Sequence, residues 1–283
     1  MRRICGLSLT LLLGSTGLPA QSHPWLSGTA EKTLAERVSP PPGYTRLPAS
    51  PNSFAAWLRG LPLHPGRPEV RLFDGRKKSN QRAQYAVFDI DVGTRDLQQC
   101  ADAVIRLRAE YLLARGCEAA IAFDFTSGDT ASWTAWQQGQ RPQVSGNRVR
   151  WTATARPDDS YANFRRYLDT VFTYAGSYSL SKELVAVADP SQLEPGDVFI
   201  QGGFPGHAVI VVDVAANAAG ERVFLLAQSF MPAQDIHLLV DPTAPAASEN
   251  PWYPARPSGI LRTPEWRFDY GDLRRFPVPE CSL

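Results

Sequence analysis

The sequence predicts an α+β fold in which helices pack on a mostly antiparallel sheet. Three observations carry that expectation. Helix-spaced apolar stripes fall mainly in the first two thirds of the 283 residues. Short β-rich runs dominate after Gly196, and Asn217-Ala218-Ala219-Gly220 is a turn signal that makes two of those runs neighbours.

Ser53 is positioned to cap a helix through Phe54, Trp57 and Leu58. Residues 70–73 read as a strand closed by Asp74-Gly75, and 83–92 alternate as a second strand. A long helix is expected over 94–114, with Leu97, Ala101, Val104, Leu107 and Tyr111 along one stripe and Gly116 as its stop. Residues 119–125 form a short apolar strand, 127–150 a loop with a small helical piece, and 148–154 a strand. Residues 161–174 read as an amphipathic helix with Phe164, Tyr167, Leu168, Val171 and Phe172 inward, and 180–187 as a shorter one. The sheet then takes 197–200, 207–214, 223–230 and 236–240.

At the amino end, Met1-Arg2-Arg3 is followed by an uncharged apolar run over 4–17 and by Leu18-Pro19-Ala20, a small-residue cut site. That is the layout of a secretory signal peptide over 1–20. The run is shorter than the roughly 20 apolar residues of a spanning helix. The expectation is therefore export to the periplasm or beyond, with no stable membrane insertion after cleavage. Residues 21–43, rich in Pro and Ser, are expected to be a linker or loosely docked arm, with room for a short helix around Ala30 to Arg37, before a single domain over 44–283. Loss of Arg2 and Arg3 takes the formal charge from +1 to about −1. Without a basic face, nucleic-acid partners are not expected. Arg76-Lys77-Lys78 reads as a solvated turn.

Export makes the cysteines informative, because exported proteins tend to oxidise spare thiols. Signal removal leaves Cys100, Cys117 and Cys281, an odd number. With a helix over 94–114, Cys100 and Cys117 stand up to about 25 Å apart, too far for a disulfide, which needs Cα atoms within roughly 7 Å. Cys281, near the end of the chain, can reach either partner; the most economical scheme pairs Cys117 with Cys281, or leaves both free, with Cys100 as a thiol. A thiol near a helix start gains from the partial positive charge of the amides there. Core packing on the apolar stripe is the competing role.

His207, one of only four histidines, follows Gly202-Gly203-Phe204-Pro205-Gly206 and opens an apolar strand. Gly203 and Gly206 leave the backbone open to a ligand. If the hairpin turn is centred between Asn217 and Ala218, His207 faces Gln228, and a register one residue different brings Ser229 there instead. In the first register Asp213 faces Arg222 as an ion pair, too far along the strand to orient His207. Trp133 and Trp136, with Trp151, are candidates for a sugar platform or for the core. Asp89 and Asp91 share a strand face, and His64 and His237 have no ligand-spaced companions, so no metal or other cofactor is expected.

Longer motifs carry a resemblance. Ser53 to Leu63 (SFAAWLRGLPL), Asp91 to Ala103 (DVGTRDLQQCADA), Gly196 to Ile200 (GDVFI), Gly206 to Asp213 (GHAVIVVD) and Ala227 to Gln234 (AQSFMPAQ) resemble the domain of unknown function 4846 family. A second resemblance lies in the order of parts: a Cys near a helix start, a Gly-Asp strand, a Gly-rich loop into a His-initiated strand, and a strand offering a polar residue. That order is similar to the NlpC/P60 and CHAP group of papain-like cysteine peptidases. The resemblance implies a papain-like arrangement with Cys100 as nucleophile, His207 as base and Gln228 as its orienter. It also implies a cell-envelope peptide or amide as substrate. A non-catalytic domain that holds wall polymer or glycan is the alternative expectation.

Overall fold

A computed structural model describes residues 23–26, 32–244, 250–278 and 281; the expected signal peptide at 1–20 lies outside the described residues. The helices are α1 (Leu34–Arg37), α2 (Phe54–Arg59), α3 (Cys100–Ala114), α4 (Trp133–Gln137), α5 (Tyr161–Tyr174) and α6 (Ser177–Glu183). The strands of the first half are β1 (Thr45–Arg46), β2 (Gln84–Val87), β3 (Ala122–Asp124), β4 (Thr130–Ser132), β5 (Gln140–Ser145) and β6 (Arg148–Ala153). Those of the second half are β7 (Val185–Ala186), β8 (Val198–Gln201), β9 (His207–Ala216), β10 (Arg222–Gln228), β11 (His237–Leu239), β12 (Trp252–Pro254), β13 (Ile260–Arg262), β14 (Arg267–Asp269) and β15 (Leu273–Arg275).

One sheet organises these parts. Its order is β2-β11-β10-β9-β8-β15-β7, with β1 beside β9 and β12 beside β10. Its pairings are antiparallel. The class is therefore α+β with a mostly antiparallel sheet. Strand β9 is central and buried on both sides. Ala208, Ile210 and Val212 join one apolar cluster with Val104, Leu107 and other α3 side chains. Val209 and Val211 face the other way, into a second cluster with Phe224, Leu226, Phe268 and Tyr270. Successive side chains of a strand point to opposite faces, so a run of apolar residues without alternation is what two covered faces require. Each fully buried Val or Leu stabilises by about 1.5–3 kcal/mol, which pins the register of β9.

Helix α5 forms as its spacing predicts: Phe164, Tyr167, Leu168, Val171 and Phe172 are all buried, and Ser160 caps its start through Asn163 N–H. Helix α3 departs from expectation. It begins at Cys100, not at residue 94. The preceding segment is held by tertiary bonds: Asp96 Oδ1 accepts the Ala233 N–H at 2.7 Å, and Ser229 Oγ donates to the Gln98 carbonyl at 2.9 Å. Nor is α3 a one-sided stripe. Arg106 and Glu110 are as buried as the leucines, because they pair with each other at 2.6 Å inside the protein.

The expected arm is also different. Leu34 and Val38 are buried in the main core, Thr33 and Glu36 form a capping box, and Trp252 Nε1 donates to the Ser39 carbonyl at 2.9 Å. From Lys32 onward the chain is part of the domain, because these apolar residues close its surface. Residues 70–73 make isolated bridges instead of a strand. The hairpin register differs as well: Leu225 faces Asp213, and a bulge before Leu226 shifts the pairing so that Ala227 faces Ile210. Asp213 consequently meets Arg46 and Arg59, each at 2.6 Å, and not Arg222. Cys117 and Cys281 form a disulfide with Cα atoms 5.3 Å apart, and Cys100 is free.

Candidate functional site

The site is built where the start of α3, the start of β9, the end of β10 and the β13–β14 hairpin meet. Gln99 caps α3, and its own N–H donates to Asp102 Oδ2 at 3.0 Å. Cys100 is thus the first residue of the helix, closer to the unpaired amides than the expected start allowed. The amides of Ala208, Ala101 and Cys100 itself favour the thiolate. Burial and the neighbouring Asp102 outweigh them, and the Cys100 thiol is pushed up to about 11. The expected activation by the helix start is overcome, because only 8% of the residue is exposed.

His207 stands one residue from the Ala208 amide. Its Nε2 lies 3.0 Å from Gln228 Oε1. Gln228 Nε2 in turn donates to Glu265 Oε2 at 2.7 Å. This fixes the amide with its oxygen toward His207, so His207 carries its proton on Nε2 and leaves Nδ1 bare. Burial lowers His207 to about 4, with Lys78 adding to the effect against the Gln228 bond, so the ring is neutral.

A second histidine completes the cluster. Lys78 Nζ, almost fully buried, meets Glu265 Oε2 at 2.5 Å and His237 Nε2 at 3.3 Å. His237 Nδ1 lies 2.8 Å from the Asp235 carbonyl, so Nδ1 donates there and Nε2 accepts from Lys78. Burial lowers Lys78 below its usual value, and Glu265 opposes that shift. The β13–β14 hairpin covers the group. Trp266 packs on the His207 ring with centroids 5.2 Å apart and is anchored by Nε1 to Gln201 Oε1 at 2.9 Å. Phe230 and Phe268 close two further sides of that ring.

The arrangement joins His207 to Gln228 but does not join either to Cys100: no hydrogen bond links Cys100 Sγ to them among the described residues. Ala208 faces α3, whereas His207 faces the hairpin side with Phe268. The glycine loop has a packing reason. A Cβ on Gly202 would overlap Ser181 Oγ of α6, and one on Gly206 would overlap Ser177 Oγ of α6 and the Gly203 and Gln201 carbonyl oxygens of the loop itself. Gly203, by contrast, has φ +154° and only the Pro205 carbonyl oxygen near its missing Cβ. Trp133 and Trp136 are core residues, not an exposed platform. Trp133 is fully buried against Phe164 and Tyr167, and Trp136 Nε1 donates to Asn163 Oδ1 at 3.0 Å. Asp91 pairs with Arg106 and Arg165.

Lys78, His237, Glu265 and Trp266 were not singled out as site residues by sequence reasoning. Lys78 sits in a basic run that looks solvated, and Glu265 lies 187 residues away from it. Only tertiary structure brings them together.

The fold and site define an α+β domain with a helix-starting thiol on one face of a central strand and a covered His–Gln pair on the other. A family model matches residues 34–275. The chain belongs to the family described as domain of unknown function 4846. No curated protein and no solved structure matches it. No helix among the described residues is long and apolar enough to cross a membrane.

Proposed function

We propose that this chain is an exported thiol hydrolase of peptide or amide bonds in the cell envelope. Cys100 is the nucleophile, His207 the general base and Gln228 the residue that holds the imidazole. One observation carries the reading. The Ala208 amide favours the Cys100 thiolate, and it is next in the chain to a histidine whose Nε2 is bonded to Gln228. Export is read from the amino-terminal sequence, and the Cys117–Cys281 disulfide suits an oxidising compartment.

The arrangement is a resting one. With the thiol at about 11 and the imidazole at about 4, proton transfer between them costs on the order of 10 kcal/mol. Turnover requires the backbone at the start of β9, beside the glycine loop, to turn so that His207 leaves the hairpin side and faces Cys100. His207 Nδ1 then takes the Sγ proton as sulfur adds to the carbonyl carbon. The amine leaves with that proton. Water, deprotonated by His207, splits the thioester to the acid and returns the proton to Sγ. The amides of Cys100 and Ala101, in the first turn of α3, would face the oxyanion.

A second reading, a binding domain without catalysis, is favoured by the burial of Cys100 and its neutral thiol. One experiment separates the two. The protein is incubated with cell-wall stem peptides and released amines are counted, for wild type, Cys100→Ser and His207→Ala. Amine release that both substitutions abolish supports the hydrolase. Peptide binding without release in any of the three rejects it.

A further inference from the structure

Further along α3, about 12 Å from Cys100 by helix rise, lies a separate cavity of about 310 Å³. It is lined by Arg108, Leu112, Phe123, Glu183, Phe276 and Val278, among others. Arg108 is the unusual member. Only 7% of it is exposed, and it has no carboxylate partner among the described residues. One bond, from Nη2 to the Pro277 carbonyl at 3.3 Å, is its single protein hydrogen bond among the described residues. The rings of Phe54, Tyr111 and Phe276 lie 5.2, 5.5 and 5.0 Å from the guanidinium carbon. Those faces compensate part of the charge. They leave Nε and Nη1 without a protein acceptor among the described residues, and a carboxylate can be gripped through Nη1 together with the second N–H of Nη2.

A buried cation without a counter-ion is costly. The cavity is at the small end of ligand sites, which span about 300–1,000 Å³, and its walls are mostly apolar. We propose that this cavity binds a small organic carboxylate with an apolar body, its carboxylate paired with Arg108. A polymer does not fit this volume, and a bare inorganic anion leaves the apolar walls unused.

Glu183 sharpens the chemistry. Its Oε1 accepts the Asp124 N–H at 3.1 Å. Burial, with Asp124 adding, pushes its carboxyl up to about 8, so it is neutral near neutral pH and can donate to the ligand. The charged and titratable groups facing it are Asp124, Tyr167 and, across the cavity, Arg108. Above about 8 Glu183 ionises and repels the anion, so affinity falls as pH rises.

The test is calorimetric titration of the full chain with octanoate, 1-octanol and inorganic phosphate. Octanoate is expected to bind at least about tenfold more tightly than octanol or phosphate. Arg108→Met should remove that advantage. Ala119→Trp, on an exposed wall residue that leaves Arg108 in place, should block the cavity without unfolding the protein. Glu183→Gln should abolish the loss of affinity above about 8. Equal binding of octanol or phosphate, no octanoate binding by wild type, or full octanoate binding by the folded Ala119→Trp variant overturns the proposal.

Discussion

Glu265→Gln tests the cover over the candidate site. Glu265 accepts three bonds: from Lys78 at 2.5 Å, Gln228 at 2.7 Å and Asn80 at 3.2 Å. The substitution keeps the shape but removes the charge facing a buried ammonium. It also turns one donor toward a donor, since the new amide nitrogen must meet Gln228, Asn80 or Lys78. Leaving a donor unsatisfied costs about 1–3 kcal/mol, and breaking a buried pair about 3–5 kcal/mol. Lys78 keeps His237 and an amide oxygen, so a loss of about 3 kcal/mol is expected. For a chain of this size that lowers the melting temperature by about 6–12 °C. Lys78 falls further below its ordinary 10.5 when the carboxylate goes. The unfolded chain then holds the proton at pH values where the folded one has shed it. The loss is therefore full below the lowered value and shrinks as pH rises through it. Because the hairpin lies on the His207 side of β9 and Cys100 on the α3 side, the rate of Cys100 alkylation under native conditions should change far less than stability does. Urea unfolding, thermal melting and timed alkylation measure these effects. A rise in alkylation of about a hundredfold, the full equivalent of about 3 kcal/mol, refutes the two-faced arrangement, and a loss below about 1 kcal/mol refutes the buried pair.

Three further outcomes follow from the same geometry. Asp213→Asn should cost about 3 kcal/mol in urea unfolding, because it leaves Arg46 and Arg59 without their shared carboxylate, whereas Arg46→Ala should cost less, since Arg59 remains bonded. Gly206→Ala should cost about 3 kcal/mol in urea unfolding, because a Cβ meets the Gly203 and Gln201 carbonyl oxygens as well as Ser177 Oγ, and Ser177→Gly in the same chain should recover only a minor part of it. In wild type, the rate of Cys100 alkylation should keep rising toward pH 11, and a plateau near the ordinary thiol range of about 8.5 would contradict the burial argument.

What the sequence made legible was local. The period of α5 named its inward face correctly, because one side of that helix meets solvent and the other the core. The start of α3 was not legible, since Asp96 and Gln98 are satisfied by Ala233 and Ser229, far along the chain, and not by a helical turn. The His207–Gln228 contact was reached from a wrong register. The bulge before Leu226 moved the pairing, but a long amide side chain still spans the diagonal. Cys100 shows where local reasoning stops. A helix start argues for a thiolate and an apolar stripe argues for burial, and both are present at this residue. Which one governs depends on Asp102 and on the fit of β9 against α3. The chemistry of this thiol therefore turns on how tightly the start of β9 is held against the first turn of α3, a contact between segments about a hundred residues apart that no local pattern announces.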